Sequence, residues 1–153
     1  MEIKDLVSSE AVIPSLKANS KKQVLNELAL FAAKLTGHQD QEIFNILLER
    51  ERLGTTGVGN GVAIPHGKFP NLDKIYGIFV RMDQPVDFES VDDMPVDLIF
   101  LLLVPEDAGA DHLKALASIS RLMRNKDVCE KLRGSENADA IYALLGSSSL
   151  DTA

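Results

Sequence analysis

Apolar side chains recur as Val24, Leu25, Leu28, Phe31, Ala32 and Leu35, a single stripe at helical spacing. Ser20 and Gln23 form a capping-box pattern ahead of this stripe, and Gly37 stands where a C-cap belongs. A second helix is predicted from Asp40, acting as its cap, to about Arg52, with Ile43, Phe44, Ile46, Leu47 and Leu48 as apolar positions. Ahead of both, Ile3–Val7 reads as a short helical turn. Ala11–Ser15 contains Pro14 and reads as an edge strand at best. The texture changes at Leu53: Gly54, Gly57, Gly59, Gly61 and Gly67, with Pro65 and Pro70, oppose a helix and leave room only for short strands around Thr56–Val58 and Val62–Ile64. Lys74–Met82 reads as a strand. Val96–Val104 is nearly all apolar and reads as a central strand covered on both faces. Helices close the chain: His112–Arg124, Lys126–Arg133 stopped by Gly134, and a third capped by Ser135 with Ala138, Ile141, Leu144 and Leu145 inward.

Helices, then strands, then helices imply an α/β (α+β mixed) fold, a sheet with helical layers packed on it. The chain has 153 residues and no internal repeat, which suits one domain, read as residues 3–145, followed by a Ser- and Gly-rich tail over 146–153 expected to fray. Hydrophobic residues make up 45% and charged residues 25%, ordinary globular values that argue against disorder. The longest apolar run, Leu98–Val104, is far too short to span a bilayer, so no membrane insertion is expected. Met1–Ser9 alternates charged and apolar residues and does not read as a signal peptide. The single cysteine, Cys129, has no partner for an internal disulfide, which suits a reducing compartment. A formal net charge of −7 repels phosphate backbones and argues against nucleic-acid binding.

The chemistry concentrates in Gly57-Val58-Gly59-Asn60-Gly61-Val62-Ala63-Ile64-Pro65-His66-Gly67-Lys68. It is not a P-loop, because Gly61 stands one residue too far from Gly67-Lys68 and Phe69 replaces the Ser or Thr. It is not a dinucleotide fingerprint either, because Val62 occupies the third glycine position. No cysteine pair or His-Glu-x-x-His context supports a metal. What remains is a histidine between Pro65 and Gly67. A neutral imidazole nitrogen is a competent nucleophile near neutral pH, and exposed backbone N–H groups on a glycine-rich loop can hold an anion. On the residues alone, His66 is either a phosphoryl acceptor or a turn residue bonded locally.

Gly57–Lys68 resembles the phosphorylation-site signature of fructose/mannitol-class enzyme IIA domains of the bacterial phosphotransferase system, and within them the nitrogen-regulatory subgroup. Leu48-Glu49-Arg50-Glu51, Pro95–Phe100 leading into Leu102–Pro105, and His112–Leu116 extend the likeness across nearly the whole chain. The resemblance implies a mixed sheet between helical layers. It also implies that His66 takes the phosphoryl group on Nε2, that His112 bonds the phosphoryl oxygens, and that Arg50 stabilises charge. Thr56, Gly59, Asn60, Gly61, Gly67 and Lys68 are the candidate phosphate-loop residues around them.

The function so implied is a cytoplasmic phosphocarrier that takes phosphate from a phosphohistidine on an HPr- or NPr-like carrier. Its phosphorylation state would control regulatory target proteins. Neither cofactor nor metal is needed, since the donor already carries an activated group. Two alternatives stand beside it: a relay passing phosphate to a separate sugar permease, and a non-covalent anion-binding module. A hydrolase using His66, His112 and Asp111 on a metal has the least support, because neither histidine stands in a ligand spacing.

Overall fold

The computed structural model describes residues 2–151. A short helix α1 (Ile3–Leu6) and a 3-10 turn (Ser9–Ala11) lead into β1 (Val12–Leu16). Two long helices follow, α2 (Lys21–Thr36) and α3 (Asp40–Arg52). Five strands come next: β2 (Gly57–Gly59), β3 (Val62–Ala63), β4 (His66–Phe69), β5 (Tyr76–Val86) and β6 (Val96–Pro105). Helices α4 (Ala110–Met123), α5 (Lys126–Arg133) and α6 (Ala138–Asp151) complete the chain.

The strands form one mixed sheet in the order β1-β5-β6-β3-β2, with β4 also paired to β6. β1 lies at the sheet edge, where Pro14 removes no ladder donor that a neighbour needs. β6 is central. β5 runs antiparallel along one side of it, and β3 and then β4 run parallel along the other. Leu98–Val104 are at most 1% exposed, so both faces of β6 are covered, which is why the sequence here carries no polar alternation. α2 packs on α3, and α3 on β4; α4 and α5 pack on β6, and α6 on β1.

Local chemistry sets most boundaries. Ser20 Oγ accepts the Gln23 N–H at 3.1 Å at the start of α2, while the Gln23 side chain reaches back to the Asn19 N–H at 2.7 Å. Gly37 closes α2 in the left-handed region at φ 81°. Two expected caps differ. Asp40 is the first residue inside α3, behind Gln39, where its charge suits the positive helix end without a capping bond. Asn137, and not Ser135, caps α6: its Oδ1 accepts from Asp139 N and Ala140 N at 2.8 and 3.1 Å, whereas Ser135 Oγ donates to Lys131 O. α6 itself carries helical backbone past Leu145, the expected end of the domain, to Asp151. Thr152 and Ala153, the last residues of the expected tail, lie outside the described residues.

Candidate functional site

The site is built where β3 gives way to β4. The two strands follow β6 in a single register, Val62 opposite Leu98 and His66 opposite Leu102. They would be one strand but for Ile64-Pro65. Proline has no N–H to donate, so the ladder lapses there and resumes when Pro65 O accepts the Leu102 N–H at 2.9 Å. Ile64 points its backbone the other way. Its N–H donates to Thr56 O at 2.9 Å, and its carbonyl accepts the Nδ1–H of His66 at 2.9 Å. His66 therefore opens a strand and does not sit in a loop, and a backbone carbonyl fixes its tautomer. With the proton held on Nδ1, Nε2 carries the free lone pair.

Side chains alternate across a strand. Gly67 and Phe69 face α3, where an ideal Cβ on Gly67 would stand 2.9 Å from Ile46 Cγ2. His66 and Lys68 face the other way, toward the start of α4. There the His112 ring lies 6.0 Å from that of His66, centroid to centroid, at 58° between planes. His112 Nε2 is buried with no hydrogen-bond partner among the described residues. Burial pushes the His112 imidazole below its ordinary range, and neighbouring His66 and Lys68 act in the same direction, disfavouring a second cation there. A neutral His112 can donate one N–H to an oxygen placed between the rings, and the unpartnered Nε2 is the atom left over for that bond.

The other sequence-predicted residues divide. Lys68 belongs to the site through its field on His112. Asn60 and Gly61, at φ 57° and 80°, form the two-residue turn of the β2–β3 hairpin, the conformation that an Asn-Gly pair favours. Val62, which follows that turn, pairs four residues earlier along β6 than His66 does, about 13 Å away at strand spacing. Gly59, Asn60 and Gly61 are thus spent on the hairpin, and the structure does not bring them to His66. Thr56 is buried, its hydroxyl donating to the Glu51 carboxylate. Gly67 is required for the close approach of α3. Arg50, in the last turn of α3, donates from Nη1 to Gly54 O at 2.9 Å.

Two contributors were not among the expected site residues. The carbonyl of Ile64 orients the imidazole, and backbone atoms leave no signature in side-chain identity. Glu51 is buried and held by Lys21 at 3.0 Å. The clue to Glu51 was its place on the α3 stripe after Ile43 and Leu47, a charge at an apolar position. Among the described residues, no group of three or more His, Cys, Asp or Glu side chains could hold a metal ion, and no helix is long and apolar enough to cross a membrane.

Residues 5–148 match the family model described as "Phosphoenolpyruvate-dependent sugar phosphotransferase system, EIIA 2". A nitrogen regulatory protein of Bradyrhizobium diazoefficiens is 63% identical over 145 residues, covering 95% of each chain. Its counterpart of the same name in Escherichia coli is 34% identical over 146 residues, 95% of this chain and 90% of that one. The crystal structure of nitrogen regulatory protein IIA-Ntr from Neisseria meningitidis superposes with a TM-score of 0.88 at 34% identity, covering 94% of this chain and 98% of the other. IIA mannitol from Escherichia coli shares the fold at a TM-score of 0.75 and 23% identity. Family match, identity and fold agree over nearly the full length, and the chain belongs to the EIIA type-2 family of the phosphoenolpyruvate-dependent sugar phosphotransferase system.

Proposed function

We propose that the protein accepts a phosphoryl group on Nε2 of His66 from the phosphohistidine of a small HPr- or NPr-like carrier, and that regulatory partners in the cytoplasm respond to its phosphorylation state. The observation that carries this reading is the Nδ1–Ile64 O bond, which leaves Nε2 as the nucleophile. In the transfer, the P–N bond of the donor imidazole breaks, its electron pair stays with the donor ring, and a P–N bond forms to Nε2. Both nitrogens of His66 are then substituted, so its ring gains positive charge while the phosphoryl oxygens carry negative charge. The Ile64 carbonyl stabilises the first. His112, Lys68 and Arg50, whose guanidinium spends one N–H on Gly54 O, are the groups proposed to meet the second. The transition state is loose, so holding the rings in place and supplying donors in advance are the main levers.

The relatives named nitrogen regulatory proteins support a regulatory role over a metabolic relay. Phosphorylation adds close to two negative charges and three acceptor oxygens at His66. A target packed on this face would then enclose a poorly compensated charge and be released. The same face would receive the carrier, so carrier and target should exclude one another. Incubation with a phosphorylated HPr-like carrier should give a label stable in base and labile in acid. An acid-stable label, or a carrier and target that bind together with unchanged affinities, would count against this reading.

A further inference from the structure

We infer that Glu51 is a positioning residue for His66: by holding Thr56 it holds the Ile64 carbonyl that keeps the imidazole proton on Nδ1. The inference rests on the reading of His66 Nε2 as the phosphoryl acceptor.

Glu51 has a side chain only 3% exposed. A buried carboxylate needs partners, and each one here is directional. Lys21 Nζ lies 3.0 Å from Oε1 and is itself held 4.9 Å above the Phe88 ring. The Thr56 N–H donates to Oε1 at 3.0 Å, and the Thr56 hydroxyl donates to Oε2. The next peptide is pinned from its other side. Gly57 N–H donates to Thr55 Oγ1 at 3.0 Å, and that hydroxyl donates to Phe88 O at 2.7 Å. The Thr56–Gly57 peptide plane is therefore fixed at both ends, which fixes the direction of the Thr56 carbonyl.

That carbonyl is the acceptor for Ile64 N–H. Ile64 lies in the gap between β3 and β4, where Pro65 interrupts the ladder to β6, so this bond is what anchors its backbone. Its carbonyl then meets His66 Nδ1. The sequence of contacts runs from Glu51 through Thr56 and Ile64 to His66 with no gap. If Thr56 is loosened, the Ala63–Ile64 peptide loses its anchor, the Ile64 carbonyl that follows it can tilt, Nδ1 loses its acceptor, and the imidazole proton is free to move to Nε2, which removes the nucleophilic lone pair there. A carboxylate that only stabilised the fold would not alter which nitrogen holds the proton.

The test uses 15N-histidine-labelled, unphosphorylated full-length protein at about pH 8, where free imidazole is neutral. The His66 nitrogen shifts are compared in the parent, Thr56→Val, Glu51→Gln and Thr56→Ser. The parent should show the Nδ1–H form. Thr56→Val and Glu51→Gln should show a substantial Nε2–H population and accept phosphate from a phosphorylated HPr-like carrier about tenfold to a hundredfold more slowly, the range for misplacing a reacting group. Thr56→Ser, which keeps the hydroxyl, should return both readouts to the parent values. Lys21→Met, at the rim of the network, gives the same comparison if either buried variant does not fold. A folded variant lacking the Glu51 contact that keeps the parent tautomer and the parent rate overturns the inference. If the parent itself takes no phosphoryl group, the proposed function fails, but the tautomer comparison still decides the role of Glu51.

Discussion

Gly67→Ala is a single methyl group, yet the structure gives it nowhere to go. An ideal Cβ at this position lies 2.9 Å from Ile46 Cγ2 and 3.2 Å from Phe69 Cε2. Carbon atoms attract best at about 3.5–4.0 Å, so both contacts are repulsive. Phe69 can swing a ring edge. Ile46 cannot move as easily, because it is fixed on α3, and β4 is fixed to β6. Overpacking of this kind costs about 1–3 kcal/mol. Alanine also restricts the unfolded chain and returns about 0.4–1 kcal/mol. The net loss then centres on about 1.3 kcal/mol, or a drop in Tm of roughly 3–5 °C for a chain of this size. Ile46→Ala removes the opposing methyl and, at a half-buried site, should cost about 1–2 kcal/mol, below the usual range for a fully buried isoleucine. Combined, the two substitutions should interact favourably by about 1 kcal/mol or more, since the new methyl fills part of the space the isoleucine leaves. Urea unfolding of the four proteins measures this directly. Because β4 also carries His66, phosphoryl acceptance should fall in Gly67→Ala and recover in the double variant. Additivity of the two stability changes within about 0.5 kcal/mol would refute the packing role of Gly67.

His112→Ala should keep the fold and still accept phosphate, but about a hundredfold to a thousandfold more slowly, the usual effect of losing one preorganised donor; an unchanged transfer rate would remove His112 from the mechanism. Burial first, and then the neighbouring His66 and Lys68, hold the His112 imidazole below its ordinary value, so the unfolded chain binds that proton more readily than the folded one. The stability from this group is complete above about pH 6.5 and is lost as pH falls through the folded value, and His112→Gln should flatten that limb of the urea midpoint against pH. Phosphorylating His66 places negative charge beside His112 and should raise its titration midpoint in an NMR titration; a midpoint that stays put or falls would separate the two rings in function.

The long elements were legible because periodicity is a local property. The α2 stripe from Val24 to Leu35 and the unbroken apolar run of β6 each identify their own environment. β4 was not legible. It has four residues, including Gly67 and Lys68, and it is a strand only because β6, far away in sequence, pairs with it. Asn60-Gly61 carried a hairpin signal that was absorbed into the reading of a phosphate loop, although its flanking pair, Gly59 and Val62, is that of a two-residue turn. The site itself was half visible. His66 and His112 stood out through the family resemblance, and the structure brings their rings together. Glu51 is hidden in the sequence among neighbouring charges, Glu49, Arg50 and Arg52. The Ile64 carbonyl had no side-chain signal at all, and only the interruption made by Pro65 hints that a backbone oxygen is left free there.

The phosphoryl group should reside on a single atom, Nε2 of His66. Protein labelled with 15N-histidine, treated with a phosphorylated HPr-like carrier and observed by 15N and 31P NMR, should show one phosphoramidate, coupled to Nε2 of His66, with Nδ1 remaining the nitrogen bonded to the Ile64 carbonyl. The signal should be absent in His66→Ala with the fold retained. Phosphorus found on Nδ1, on His112 or on a hydroxyl, or undiminished labelling of His66→Ala, would contradict the mechanism.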